Sequence, residues 1–371
     1  MYCINNALHG IGIKFAYELN GENSPMDRLS KLVQDIVMID GACAAGIATT
    51  ETLAGGPPSV DLTYVLPQAK SAVTFAVAID TTLIPPYLMK KNRLALEKDF
   101  IRANALASGI AFQLANYLEQ RGYPSVPVAA NLVYRLEAPG GATSYMPDIS
   151  HRYLAVRSGV GHLGLSGNLI TKDQGAAIIL ASTVTTAELI PTDPLPVEEN
   201  YCDECRLCMA ACVPGFMDRG VTTTVTLGGI EFSYSQRRHV SRCDCVCSGY
   251  TGLHPSGKWS TWSPGRFAIP DDDDHIVAAL EAMTRAYRKW PSAPGGRYFF
   301  YTEDKLRMAC ANCQVVCCAD KEERKARYKM LTGSGVVVQR PDGSLEALSP
   351  EKAKKRLAAL PADKRALYED M

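Results

Sequence analysis

The chain alternates between apolar runs of two periods. Residues 27–39 place Leu29, Leu32, Val33, Ile36 and Val37 at helical spacing, which predicts a helix with one buried face. Residues 40–47 are rich in Gly and Ala and read as a turn, with Cys43 a small buried residue in it. Ala72 to Ile79 is a continuous, partly β-branched apolar run and predicts a buried strand. Asn92 to Gln120 carries the longest helical pattern, through Leu94, Phe100, Ile101, Leu106, Ile110, Leu114 and Leu118, and stops at Gly122 with Pro124 beyond. Residues 125–128 read as an edge strand, 149–157 as a helix and 176–184 as a second buried strand. Alternating elements of this kind predict an α/β (α+β) layered core.

Between the helix at 149–157 and the strand at 176–184 lies a glycine-rich stretch, Gly159, Gly161, Gly164 and Gly167, closing on Asn168. A dinucleotide fingerprint needs its glycines to follow a strand and open a helix. Here they follow a helix and precede a strand, so no nicotinamide site is expected. They let backbone come close to something bulky. Downstream, a proline-rich junction at 191–196 suggests a domain boundary. Residues 248–267 form a long aperiodic loop holding two tryptophans with His254, Lys258 and Arg266, candidates for a pocket rim. An acidic run at 271–274 leads into a helix at 276–288 and reads as favourable charge at a helix start. A hairpin around Pro341-Asp342-Gly343 and a helix opening at Ser349-Pro350 end the pattern.

The cysteines change the picture. Cys202, Cys205, Cys208 and Cys212 are spaced C-x2-C-x2-C-x3-C, and Cys310, Cys313 and Cys317 are spaced C-x2-C-x3-C, with Cys318 adjacent. Cys243, Cys245 and Cys247 lie between them. A [4Fe–4S] cube takes one thiolate per iron; three cysteines of a tight loop reach three corners and the fourth ligand is remote. In two-cluster ferredoxins the last cysteine of each run ligates the other cluster. That rule assigns Cys202, Cys205, Cys208 and Cys317 to one cluster. Cys212, Cys310 and Cys313 go to a second, with Cys247 preferred over Cys243 as its fourth ligand. The alternative, zinc, favours C-x2-C pairs and does not call for three cysteines spaced by two and two. The proline usual after the last cysteine of such runs is absent: Val213 follows Cys212, and Cys318 follows Cys317.

Thirteen cysteines in 371 residues are too few and too clustered for a small disulfide scaffold and point to a reducing compartment. With 39 basic and 39 acidic residues the formal charge is zero, so no nucleic-acid or membrane partner is expected. No apolar run approaches the roughly 20 residues of a membrane span, and the start carries no basic n-region or twin arginine. These observations predict a cytoplasmic protein, in an anaerobic or microaerobic host if its clusters are exposed.

The pattern as a whole resembles the cobalamin-dependent reductases, the superfamily of epoxyqueuosine reductases and reductive dehalogenases. The resemblance is carried by His151-Arg152-Tyr153-Leu154-Ala155, by Gly159-Val160-Gly161-His162-Leu163-Gly164 and by the two cysteine runs. It implies a nitroreductase-like core at 1–190 that binds base-off cobalamin. A ferredoxin-like domain at 191–330 would follow, with two [4Fe–4S] clusters and an inserted loop at 248–308, then a hairpin-and-helix tail at 331–371. Gly159, Gly161, His162, Gly164, Gly167 and Asn168 would pass close to the corrin. The superfamily uses an acid above the corrin, an aspartate in the epoxyqueuosine reductases and a tyrosine in the dehalogenases. Gapless counting puts Tyr145 there, with Asp148 one short shift away. The chain departs from the epoxyqueuosine reductase pattern G-W-x-G-K, reading Gly161-His162-Leu163-Gly164-Leu165 instead. The expectation is therefore a divergent oxidoreductase with a small-molecule substrate, fed by a donor such as ferredoxin or flavodoxin. The alternative is an iron–sulfur electron-transfer protein that reduces a partner such as a corrinoid protein.

Overall fold

The computed structural model describes residues 24–130, 134–139, 141, 145–265, 269–287, 289–291, 297–298, 301–302, 310–363 and 365. Its first half contains α1 (Pro25–Ile39), β1 (Ala44–Thr49), β2 (Ser71–Ala78), α2 (Ile84–Leu88), α3 (Leu94–Glu119), β3 (Ser125–Val128), α4 (His151–Arg157), β4 (His162–Leu163), β5 (Leu169–Ile170) and β6 (Ile178–Thr185). The second half contains α5 (Leu207–Ala210), β7 (Met217–Leu227), β8 (Ile230–Arg237), α6 (Ser241–Cys247), α7 (Ile276–Tyr287), β9 (Arg297–Tyr298), β10 (Tyr301–Thr302), α8 (Asn312–Val316), α9 (Lys321–Thr332), β11 (Val336–Gln339), β12 (Leu345–Leu348) and α10 (Pro350–Ala358).

The mixed α/β core is a four-stranded sheet in the order β1-β2-β6-β3, every neighbouring pair antiparallel. Helices α1 and α3 touch its strands, and α4 lies against β1, β2 and β6. The central strands are therefore buried on both faces, and their sequences read as continuous apolar runs rather than as alternation. Of the Gly/Ala-rich segment expected to be a turn, residues 40–43 do turn, while 44–47 open β1. Gly46 is small because the end of α4 leans on it: a Cβ there would collide with the Ser158 carbonyl. Cys43, expected to be buried, is exposed.

Beneath α4 the packing is polar. Ser182 on β6 hydrogen-bonds Thr74 on β2 at 2.8 Å and His151 Nδ1 at 2.8 Å, while His151 Nε2 donates to the Ala129 carbonyl at 3.0 Å. Burial lowers the His151 pKa from 6.5 to about 4. The neutral imidazole is the form that fits the fold, so its contribution is complete above pH 6.5 and is lost as pH falls towards 4. Linkage then takes about 2 kcal/mol of stability between pH 7 and pH 5. Denaturant melts at the two pH values should show this loss in the wild type and a flatter response in His151→Gln; equal slopes would contradict it.

Two features escape the pattern reading. The β7–β8 hairpin turns at Gly228-Gly229, both at positive φ (57° and 82°). It docks on the sheet half through Gly228 N–H to the Ala54 carbonyl at 2.9 Å and through buried Val225 and Leu227. The loop from 248 is no free flap. Ser260 N–H donates to the Gly335 carbonyl at 3.1 Å and Gly265 N–H to Val337 at 3.2 Å, beside β11. Trp262 donates to the Tyr87 carbonyl at 3.0 Å. Trp259, Trp262, Val315, Val316 and Val337 share one apolar cluster with Ile47 and Phe75, so the core is continuous across the proline-rich junction. His254 stacks on Trp259 at 4.5 Å, Lys258 is exposed and Arg266 lies outside the described residues. No helix among the described residues is long and apolar enough to cross a membrane.

Candidate cluster-binding and active site

The first cysteine run is wound tightly by its own backbone. Glu204 (φ 54°) and Arg206 (φ 59°) adopt the left-handed conformation, unusual for residues with a Cβ. Asn200 accepts from Cys202 N–H at 2.9 Å and Asp203 from Cys205 N–H at 3.3 Å. The run thereby folds around one pocket lined by Cys202, Cys205, Cys208 and the remote Cys317, together with Leu165 and Arg324. Alternating backbone hands of this sort turn N–H groups inwards, the arrangement that suits an anionic guest. Leu165 N–H donates to Cys202 Sγ at 3.3 Å. Cys317 is held by its carbonyl, which accepts from Ala176 N–H at 3.1 Å, and Gly175 is glycine because a Cβ there would strike the Cys317–Cys318 backbone. Cys318 points elsewhere, its thiol 3.3 Å from the Asp320 carbonyl.

Five cysteines form the second group. Cys243 and Cys247 sit one turn apart on α6, on the same face, with sulfurs 3.5 Å apart. Cys247 Sγ is 3.3 Å from the Cys310 carbonyl. Cys212, Cys310, Cys313 and Cys243 lie within electrostatic reach of one another. Cys245 is on the opposite face of α6 and packs among Tyr250, Ile276, Met283 and Trp290. Phe216 N–H donates to Cys212 Sγ at 3.3 Å, and Asn168 Nδ2 to Cys313 Sγ at 3.8 Å. The two groups are neighbours: Cys208, Cys212 and Cys313 belong to one packed cluster. The acidic run fixes α6. Asp273 pairs with buried Arg242 at 2.5 Å, and the same guanidinium donates to the Pro214 carbonyl at 3.1 Å, just past Cys212.

Burial pushes the thiols of Cys208 (to about 11), Cys212, Cys313 and Cys317 up. Thiolates at these positions need a compensating positive charge, which bound iron would supply. Among the described residues, no three His, Cys, Asp or Glu side chains gather on one point as ligands of a single ion do. Cys202, Cys205, Cys208 and Cys317 nevertheless line one pocket.

Beside the second group lies a polar, half-exposed surface. Tyr145 (φ 54°) donates its hydroxyl to Asp244 Oδ2 at 2.7 Å, and its ring packs 4.9 Å from Tyr134. A tyrosine held at positive φ is an outlier of about 1–3 kcal/mol that the surroundings must sustain. Burial, then the Asp244 carboxylate, drives the Tyr145 pKa well above its usual value, and burial also raises Asp244. Asp148 does not share this surface contact. Its backbone carbonyl accepts from Arg135 at 2.9 Å, and its carboxyl is influenced by Arg135 and Glu137 rather than by any cysteine. Arg152 donates to the Gly167 carbonyl at 3.0 Å, and Tyr153 bonds Tyr234 at 2.7 Å.

The glycine stretch is the β4–β5 hairpin. The open sides of Gly159, Gly161 and Gly164 are taken up by Asp193, Ile170 and Ile170 respectively, so these three serve close packing of the chain on itself. His162 is buried, Nε2 donating to the Pro196 carbonyl at 3.0 Å and its ring edge-on to Tyr201. Gly167 and Asn168, at the far end, face Arg237, Tyr234 and Cys313. Asp244 and Arg324 were not singled out by pattern reading, because their partners Tyr145 and Asp203 lie far away in sequence.

No family model matches the chain. Curated relatives do. It is 28% identical over 206 residues to the epoxyqueuosine reductase of Gloeobacter violaceus, covering 55% of each chain. Over that stretch the chain is similar to the epoxyqueuosine reductases. A second epoxyqueuosine reductase, from Atelocyanobacterium thalassa, is 25% identical over 183 residues, 47% of this chain and 51% of that one. The chain thus spans about half the length of the curated relatives it matches. Solved structures similar to this chain include an epoxyqueuosine reductase with an epoxyqueuosine-modified tRNA-Tyr stem loop (16% identity, TM-score 0.41, 91% of this chain and 74% of that one). A catabolic reductive dehalogenase is also similar (14% identity, TM-score 0.48, 88% and 41%). The expectation that nucleic acid plays no part is corrected here. Neutral net charge speaks only of the whole surface, and that epoxyqueuosine reductase is solved with a tRNA stem loop.

Proposed function

We propose that the chain is a corrinoid- and iron–sulfur-dependent reductase. The observation that carries this reading is the gathering of Cys202, Cys205, Cys208 and Cys317 around one pocket, next to a second cysteine group that adjoins the Tyr145 surface. In this reading each group holds one [4Fe–4S] cluster, the second through Cys212, Cys310, Cys313 and one of Cys247 and Cys243. A base-off cobalamin, when bound, supplies the low-potential cobalt that reduces the substrate; the protein orients, shields and feeds it. Base-off binding asks for no protein ligand to cobalt. The residues that would hold the corrin are Asn168, Gly167, Arg152 and Tyr134, at the edge of the sheet half. This is the arrangement of a nitroreductase-like core joined to a ferredoxin-like region, with a ferredoxin or flavodoxin as outside donor.

Tyr145 is the proton donor of this reading. Its hydroxyl donates to the Asp244 carboxylate, which fixes where the phenol points. Asn168, which donates to Cys313 Sγ at 3.8 Å, would adjoin both the second cysteine group and a bound corrin.

Similarity to the epoxyqueuosine reductases points first to a modified nucleoside in a tRNA stem loop as substrate. The placement of Tyr145, and not Asp148, against the cysteine group favours a second reading: a dehalogenase-like reaction on a small organic molecule. The test offers both to protein reconstituted anaerobically with iron, sulfide and cobalamin under a strong reductant. Cobalamin-dependent loss of the epoxide oxygen, or of halide, identifies the substrate class. Turnover of neither, with electrons passed to a separate corrinoid protein, would replace the reductase by an electron carrier.

A further inference from the structure

We propose that Arg324 and Lys90 are resident counter-charges of the two cysteine groups, and that they set the reduction potential of each site separately. This rests on the reading of both groups as [4Fe–4S] sites.

Arg324, on α9, lines the pocket of Cys202, Cys205, Cys208 and Cys317. Its side chain is 3% exposed and pairs through Nη1 with Asp203 at 2.9 Å. Its Nε has no hydrogen-bond partner among the described residues. A buried guanidinium left half-satisfied is costly, and the unsatisfied part belongs to a side chain that faces four thiols. Asp203 lies within the cysteine run itself, so the ion pair also ties α9 to that loop.

Lys90 does the same at the second group. It is 8% exposed, stands at φ 58° and lies 5.9 Å from the Trp262 ring centroid. Burial lowers its pKa to about 7, while the nearby Cys310 pulls it back up, so an anionic group at Cys310 is what keeps it charged. Among the described residues no carboxylate pairs with it, and its ammonium makes a long contact of 3.5 Å with the Leu88 carbonyl. Two buried cations, one behind each cysteine group, have no other shared rationale in the fold.

The sign follows from charge. A cluster held by four thiolates is anionic, and reduction by one electron makes it more so. A buried cation, permanent at Arg324 and favoured by the anionic site at Lys90, therefore favours the reduced form and raises the potential; net charge and hydrogen bonds to sulfur are the levers that tune such sites. Removing the cation lowers it.

The experiment is an anaerobic redox titration, followed by electron paramagnetic resonance, of the reconstituted wild type, Arg324→Gln, Arg324→Lys and Lys90→Met. Arg324→Gln should shift the reduction equilibrium of one cluster about tenfold towards the oxidised form, a fall of about 59 mV for a one-electron couple. The other cluster should be unchanged. Arg324→Lys should restore most of the shift, and Lys90→Met should lower the second midpoint alone. Midpoints that do not move, or that move together in every variant, overturn the proposal. If Arg324→Gln fails to keep its cluster, Asp203→Asn decides: unmasking the guanidinium should raise that same midpoint, and a fall or no change refutes the idea. Wild-type protein without iron would defeat the cluster reading itself, which is a different failure.

Discussion

Replacing Cys317 by serine is expected to remove half of the iron. Cys317 is over a hundred residues from Cys202, yet it is the fourth thiol of the pocket that Cys202, Cys205 and Cys208 line. Three cysteines from one loop leave one corner of a cube open, and Cys317 is the buried thiol that closes it. The reconstituted variant should bind about four irons instead of about eight, while the second group, whose thiols come from Cys212, α6 and Cys310–Cys313, keeps its own. Cys318→Ser is the control: its thiol faces the Asp320 carbonyl, so iron content should not change. Full iron in Cys317→Ser, or halved iron in Cys318→Ser, would show that the pocket is not the site.

The second large effect is expected at Tyr145. Removing its hydroxyl in Tyr145→Phe leaves the ring packed against Tyr134 but takes away the proton donor of the proposed reaction. General acids of this kind contribute about 10²- to 10⁴-fold, so turnover should fall by that order with iron and corrin content unchanged. Asp148→Asn, on the Arg135 side of the loop, should leave turnover within a few-fold, roughly the scale of a surface change. A Tyr145→Phe enzyme with wild-type turnover, or an Asp148→Asn enzyme without it, would transfer the role to Asp148.

The elements that carry strong periodicity were legible from residues alone. The helices at α1 and α3, the buried strands β2 and β6, the edge strand β3 and the β11–β12 hairpin all follow from apolar spacing and turn chemistry. The start of β1 was not, because Gly46 answers the approach of Ser158, a tertiary demand that looks like a turn in sequence. The β7–β8 hairpin is rich in Thr and Ser and buries little, yet Gly228-Gly229 between alternating runs was a usable signal. Antiparallel order could not be read from buried strands, whose continuous apolar runs look alike in either direction.

At the candidate site the division is similar. Local spacing marks the cysteines, since a loop's ligands must be near one another in sequence. It cannot separate Cys243 from Cys247, which share a helix face, though it leaves Cys245 visibly out of phase with both. The charges that surround the thiols leave no trace in sequence. Tyr145 and Asp244 are 99 residues apart, and Arg324 meets Asp203 only because α9 folds back over the first run. The glycines Gly159, Gly161 and Gly164 were open to two readings, close approach to a cofactor or to the chain, and periodicity does not distinguish them; Asp193 and Ile170 now occupy their open sides.

The most direct test of the central claim is the metal and cofactor content of the anaerobically reconstituted protein, read together with its low-temperature electron paramagnetic resonance after reduction. The account predicts about eight irons with matching sulfide, two interacting reduced clusters and one retained corrin per chain. Zinc in place of iron, or iron without sulfide, would contradict it.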